Sequence, residues 1–91
     1  MRIRKMLNVI KAEEAVRKFS PTTKLEYREK GQEGIYLTKT NTIIISIDWN
    51  MAGLLHEITH AVLWLEEKRT GHDGVWADRF TKIVSEYYGE K

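Results

Sequence analysis

The stretch "DWNMAGLLHEITHAVLWLEEK", residues 48–68, decides how the chain is read. Met51, Leu54, Leu55, Ile58, Val62 and Leu65 recur at helical spacing, so the sequence predicts a helix from Trp49 to Lys68, with Asp48 as N-cap. Thr70-Gly71 ends it. A helix turns about 100° per residue. With His56 as origin, His60 falls at about 40° and Glu57 at about 100°, whereas the apolar set falls at about 160–260°. The two histidines and Glu57 therefore share a face away from the leucines.

Two imidazoles four residues apart on a helix can converge on one ion. Glu57 lies between them in sequence but is rotated out of ligand position. It can instead reach a water bound to the metal, take its proton and later hand it to a leaving amine. A catalytic zinc needs three protein ligands and one open position. The chain has three histidines and no cysteine, and the third, His72, follows the helix end. Gly71 lets the chain turn back toward the same face. The expected ligands are thus His56, His60 and His72, with Glu57 as the catalytic residue. Glu86 on the next helix is the rival third ligand. Asp73 and Asp78 are further options, or partners that orient an imidazole. Zn2+ is the expected cofactor, although nickel or manganese suits similar donors.

Working outward, "VWADRFTKIVSEYY" carries Trp76, Phe80, Ile83, Val84 and Tyr87 on one face and predicts a last helix over 74–88. Trp76 and Phe80 are expected as core between the last two helices, and Trp64 either walls the pocket or packs. Upstream, residues 5–19 form an amphipathic helix stopped by Ser20-Pro21. "KLEYRE" at 24–29 and "IYLTKT" at 35–40 alternate as half-buried strands. "GQEG" at 31–34 reads as a turn, Asn41 as another, and "TIIISI" at 42–47 as a buried strand. Short connections suggest an antiparallel three-stranded meander. The whole is a single α+β domain over residues 1–91: N-terminal helix, small antiparallel sheet, HExxH helix, C-terminal helix.

Composition narrows the functions. With no cysteine, disulfides and thiolate zinc ribbons are excluded. No apolar run is long enough to span a bilayer and the N-terminus lacks the pattern of a signal peptide, so a cytoplasmic protein is expected. Residues 1–30 hold nine Lys or Arg against four Glu, whereas residues 31–91 hold six against nine Asp or Glu. The basic third could make weak nucleic-acid contact, or be a solvated helix face.

"LLHEITHAVLWLEEKRTGHDGVWADRF", residues 54–80, resembles the catalytic core of the SprT-like metallopeptidases, the group that includes Spartan. The matching pattern is His56-Glu57-Ile58-Thr59-His60, then Trp64, then Gly71-His72, then Trp76. The resemblance implies zinc on His56, His60 and His72, Glu57 as general base, and hydrolysis of peptide bonds in a protein or peptide substrate. Asp73 stands where the family usually has glycine. Peptidases of this kind hold an extended substrate along an edge strand. One of the strands within 35–47 is expected to do so here, and prolines on its free edge should raise KM. Arg79, Tyr87 and Tyr88 are candidate donors to the developing oxyanion. Two other readings stay open at this point: a non-catalytic or latent binding module on the same scaffold, and a three-histidine hydrolase acting on RNA or nucleotides. Glu57 favours the peptidase, because the nucleic-acid enzymes with paired histidines have glycine at that place.

Overall fold

The computed structural model describes residues 2–28 and 34–89. Among these, helix α1 (Arg2–Phe19) is followed by strands β1 (Lys24–Arg28), β2 (Ile35–Leu37) and β3 (Thr42–Ser46), then helices α2 (Met51–Glu67) and α3 (Gly74–Gly89). The α+β class and the element order are those expected. Of the expected turn at 31–34 only Gly34 is described.

The sheet corrects one expectation: it is mixed, not antiparallel throughout. Its order is β1-β3-β2. β2 and β3 form the hairpin, with Ile35 opposite Ile44 and Leu37 opposite Thr42. β1 lies parallel to β3, pairing Lys24 with Thr42 and Arg28 with Ser46. The physical reason is burial. Every residue of β3 is buried, whereas β1 alternates between exposed and half-buried. A continuous β-branched run loses most water contact at the centre of a sheet, so it takes that place and sends its neighbours to the edges. Asn41 (φ 51°) closes the hairpin, and its side chain accepts from Thr23 Oγ1 and Tyr36 Oη.

The core lies between α1, the sheet and the last two helices, with α2 in the middle. Leu54, Leu55, Ile58 and Ala61 of α2 are fully buried with Ala12, Ala15 and Val16 of α1, Ile43 and Ile45 of β3, and Ile83 of α3. Each large side chain of this set contributes about 1.5–3 kcal/mol by leaving water. The apolar face of α2 is wider than the sequence suggests. Thr59 and Leu63, at about 300° and 340° on the same projection, are buried as well, the Thr59 hydroxyl donating to the Leu55 carbonyl. Leu65 is the exception and stays 40% exposed.

Helix α2 also starts later than expected. Its N-cap is Asn50, whose side chain accepts from the Gly53 N–H at 2.8 Å. Asp48 is engaged instead by the Ser46 hydroxyl. The helix ends at Lys68 in the left-handed region (φ 56°), whose N–H returns to the Trp64 carbonyl. Gly71 (φ 90°) then turns the chain, a conformation that L-residues with a Cβ rarely adopt. The two left-handed residues together carry His72 back to His56 and His60 of α2. No helix among the described residues is long and apolar enough to cross a membrane.

Candidate metal centre

His56 and His60 project from consecutive turns of α2, and His72 comes from the loop before α3. Their Nε2 atoms form a small triangle: 3.3 Å from His56 to His60, 2.9 Å from His60 to His72 and 3.1 Å from His72 to His56. These three side chains are close enough to hold one metal ion. The fit can be tested from elementary geometry. A tetrahedral ion with metal–nitrogen bonds of 2.0–2.1 Å sets its nitrogens about 3.3 Å apart, and the triangle is a few tenths of an ångström tighter.

Trp76 backs the cluster. Its ring centroid lies 4.7 Å from His56, 5.4 Å from His60 and 4.8 Å from His72, and it stacks on Phe80 at 4.9 Å. Trp76 is therefore not core between α2 and α3, as its helical spacing suggested. It is the wall that fixes the planes of three imidazoles, with its own Nε1 buried and unpartnered. Phe80, Val84 and Tyr87 do pack on the core around Ile83.

Burial acts on the imidazoles first and their neighbours second. His60 is pushed down to about 4 from its ordinary 6.5 by desolvation, with His56 and His72 adding to the effect. His56 is lowered by the same burial and by His72. Both are neutral near pH 7, the form a metal requires. The sign for stability follows. The unfolded chain takes up the His60 proton at about 6.5 and the folded chain resists it to about 4, with His56 shifted in the same direction. The metal-free protein is expected to be most stable above pH 6.5 and to lose stability as pH falls from there toward 4. Urea midpoints measured across that range should show it, and His60→Gln should flatten the profile. A wild-type midpoint that rises on acidification would refute the placement of these rings.

Glu57 is nearly buried, and its carboxylate oxygen lies 4.0 Å from His56 Nε2. The group of side chains close enough to hold one ion does not include Glu57, whose carboxylate sits beside it. The approach of Gly34 from the start of β2 sets this position. A methyl group added at Gly34 would meet Glu57 Cγ at 3.3 Å and the Ile44 carbonyl oxygen at 3.5 Å. Sequence reading treats Gly34 only as part of a turn. A glycine followed directly by a strand was the available signal of close approach.

Asp73 is not drawn to the histidines. It caps α3, accepting from the Trp76 N–H at 3.1 Å, and its other oxygen accepts from Arg69 Nη1 at 3.2 Å. The Trp76 bond first and Arg69 second hold its carboxyl below the usual range. Together Arg69 and Asp73 close the loop that carries His72. Asp73→Ala is expected to weaken metal binding by about tenfold, the lower end of what an outer partner contributes. A competition titration with a chromogenic chelator measures this, and unchanged affinity would show that the loop holds His72 without the clasp.

The other candidates lie elsewhere. Glu86 lines a separate cavity with Lys18, Arg79 and Lys82, so it is no rival ligand. Arg79 donates to Glu66 at 3.0 Å, and Tyr87 and Tyr88 line a third cavity against Lys11 and Arg17 of α1. Asp78 is exposed on α3 and belongs to no group of side chains close enough to share an ion among the described residues.

Two cavities open on either side of Glu57, each touching Gly34, His56 and Glu57. One, of about 350 Å³, runs toward Asp48, Trp49 and Asn50. The other, of about 340 Å³, runs past His60 to Trp64 and along Ile35 and Tyr36 of β2. Since β3 is the central strand, β2 is the edge next to the histidines. Its outer side pairs with no strand among the described residues.

No family model, no curated protein and no solved structure matches this chain.

Proposed function

We propose that the chain is a zinc-dependent peptidase in which His56, His60 and His72 hold the metal and Glu57 is the general base. The observation that carries this reading is the joint placement of three converging imidazole nitrogens and a carboxylate 4.0 Å from one of them. The resemblance of residues 54–80 to the SprT-like metallopeptidases points the same way.

His56, His60 and His72 would hold the zinc, which when bound would supply Lewis acidity and lower the pKa of a water. The protein supplies the rest. The buried Glu57 carboxylate accepts the proton of the attacking water and returns it to the leaving amine. Trp76 and the Arg69–Asp73 clasp keep the imidazoles aimed at one point, so little reorganisation is needed on binding. The free edge of β2 holds the substrate main chain by strand addition, which places a peptide across the two cavities. Proline at a β2 position whose N–H points away from β3 is expected to raise KM more than it lowers kcat; unchanged kinetics in the folded variant would exclude β2 as the docking edge.

The experiment that tests the function pairs metal analysis with hydrolysis of dye-labelled casein, for the wild type and for Glu57→Gln. Zinc bound by both proteins, with cleavage only by the wild type, is the expected result. Wild-type protein that binds zinc and cleaves nothing would leave a metal-binding module. Cleavage of RNA in place of casein would point to the nucleic-acid hydrolase.

A further inference from the structure

We propose that Asn41 is a positioning residue for the substrate-binding edge: through the Tyr36 hydroxyl it holds β2 in place beside the metal centre. The inference rests on the peptidase reading and adds to it the side chains that fix the strand on which a peptide would dock.

β2 has three residues, and among the described strands it pairs with β3 alone. The ladder by itself holds so short a strand weakly. At the start of β2, Gly34 is stopped against Glu57. Further along, the strand is fixed by Tyr36. This side chain is half-buried, packs against the core and lines the cavity that touches His56 and His60. Its Oη donates to Asn41 Oδ1 at 2.8 Å. Burial pushes that hydroxyl above its ordinary 10, so it stays a donor.

Asn41 is itself held by the segment that follows α1. Its Oδ1 also accepts from Thr23 Oγ1 at 2.9 Å, its Nδ2 donates to the Thr22 carbonyl at 3.0 Å, and its backbone carbonyl accepts from the Lys24 N–H at 3.0 Å. Thr23 gives its one hydroxyl proton to Asn41, so the Ser20 hydroxyl, 2.5 Å away, donates to Thr23. Ser20 and Thr23 are both buried, where water competes least for these bonds. The chain of bonds thus runs from the turn behind α1, through Thr23 and Asn41, to the wall of the cleft. Closing the hairpin does not require it. Glycine would adopt φ 51° more readily than asparagine does. What the amide adds is the link to Tyr36. Asn41 lines neither cavity at the histidines, so its effect on the cleft passes through Tyr36.

The test compares the wild type with Tyr36→Phe, Asn41→Gly and the double variant. Apparent KM and kcat on dye-labelled casein are measured with zinc bound, and amide exchange is followed in the zinc-free proteins. Tyr36→Phe keeps the ring and removes the bond. It is expected to raise KM about two- to tenfold, the worth of one hydrogen bond, and to change kcat less. Asn41→Gly keeps the left-handed turn and should raise KM at least as much. The double variant should go no further than Asn41→Gly, because both changes break the same bond. Asn41→Asp keeps the acceptor and should bring KM back toward the wild type. Exchange at residues 35–37 should quicken in both single variants while α2 stays protected. Tyr36→Phe and Asn41→Asp decide the matter if Asn41→Gly does not fold. Unchanged KM or unchanged exchange at 35–37 in the single variants, or KM increases that multiply in the double variant, overturns the positioning role and leaves the peptidase reading intact. Wild-type protein that binds zinc and cleaves no casein overturns both.

Discussion

Replacing Glu57 by glutamine is expected to lower peptide hydrolysis by about 10²–10⁴-fold, the usual worth of a positioned general base, while the protein keeps its zinc. Glutamine has the shape of glutamate, so the contact with Gly34 is preserved and the imidazole triangle is untouched. What is lost is the capacity to accept a proton. The side chain is nearly buried, and a neutral amide is easier to bury than a carboxylate. The variant is therefore expected to stay folded, with a thermal midpoint close to the wild type's. That combination separates a catalytic role from a structural one: a residue needed only for packing would show its loss in the thermal midpoint, and a ligand would show it in the zinc content. Initial rates, zinc per mole of protein and thermal melts on the same preparations suffice. Equal rates for the two proteins would remove Glu57 from its assigned role, whatever the metal content.

The convergence of the histidines could be anticipated from the sequence, and the physical reason is locality. His56, Glu57 and His60 belong to one helix, whose 100° step fixes their relation without reference to anything distant. His72 was reachable from Gly71, which marks where the chain could turn back. The parts that could not be read are those settled by long-range competition. The strand order depends on which run gains most from the centre of the sheet, and the uninterrupted β-branched stretch of β3 was the clue that outweighs short connections. Asp48 was the expected cap of α2, but the Ser46 hydroxyl engages it and Asn50 caps the helix instead. Trp76 shares a helical stripe with Phe80 and Ile83. That stripe starts over the histidines and reaches the core one turn later, so spacing alone assigns the tryptophan to the wrong neighbour. A close approach at Gly34 could be suspected, but what it approaches could not be read, because Glu57 is far away in sequence.

Removing the third imidazole is expected to have the second large effect, and it separates His72 from its rival. In His72→Ala only His56 and His60 remain, and metal affinity should fall by at least about a hundredfold, beyond the 10–100-fold that losing an outer partner costs. His72 is exposed on a loop, so the metal-free variant should melt with the metal-free wild type. The difference emerges with zinc. A ligand that binds only the folded state stabilises it in proportion to the logarithm of its concentration over Kd, so a hundredfold loss of affinity removes about 2.7 kcal/mol of zinc-dependent stability. For a domain of this size each kcal/mol moves the melting midpoint by about 4–8 °C. The zinc-induced rise should therefore be smaller in His72→Ala by roughly 10–20 °C. Glu86→Ala, whose side chain belongs to a different cavity, should show the full wild-type rise. If His72→Ala keeps that rise and Glu86→Ala loses it, the metal is held in a way this arrangement of rings does not permit, and the three-histidine centre is wrong.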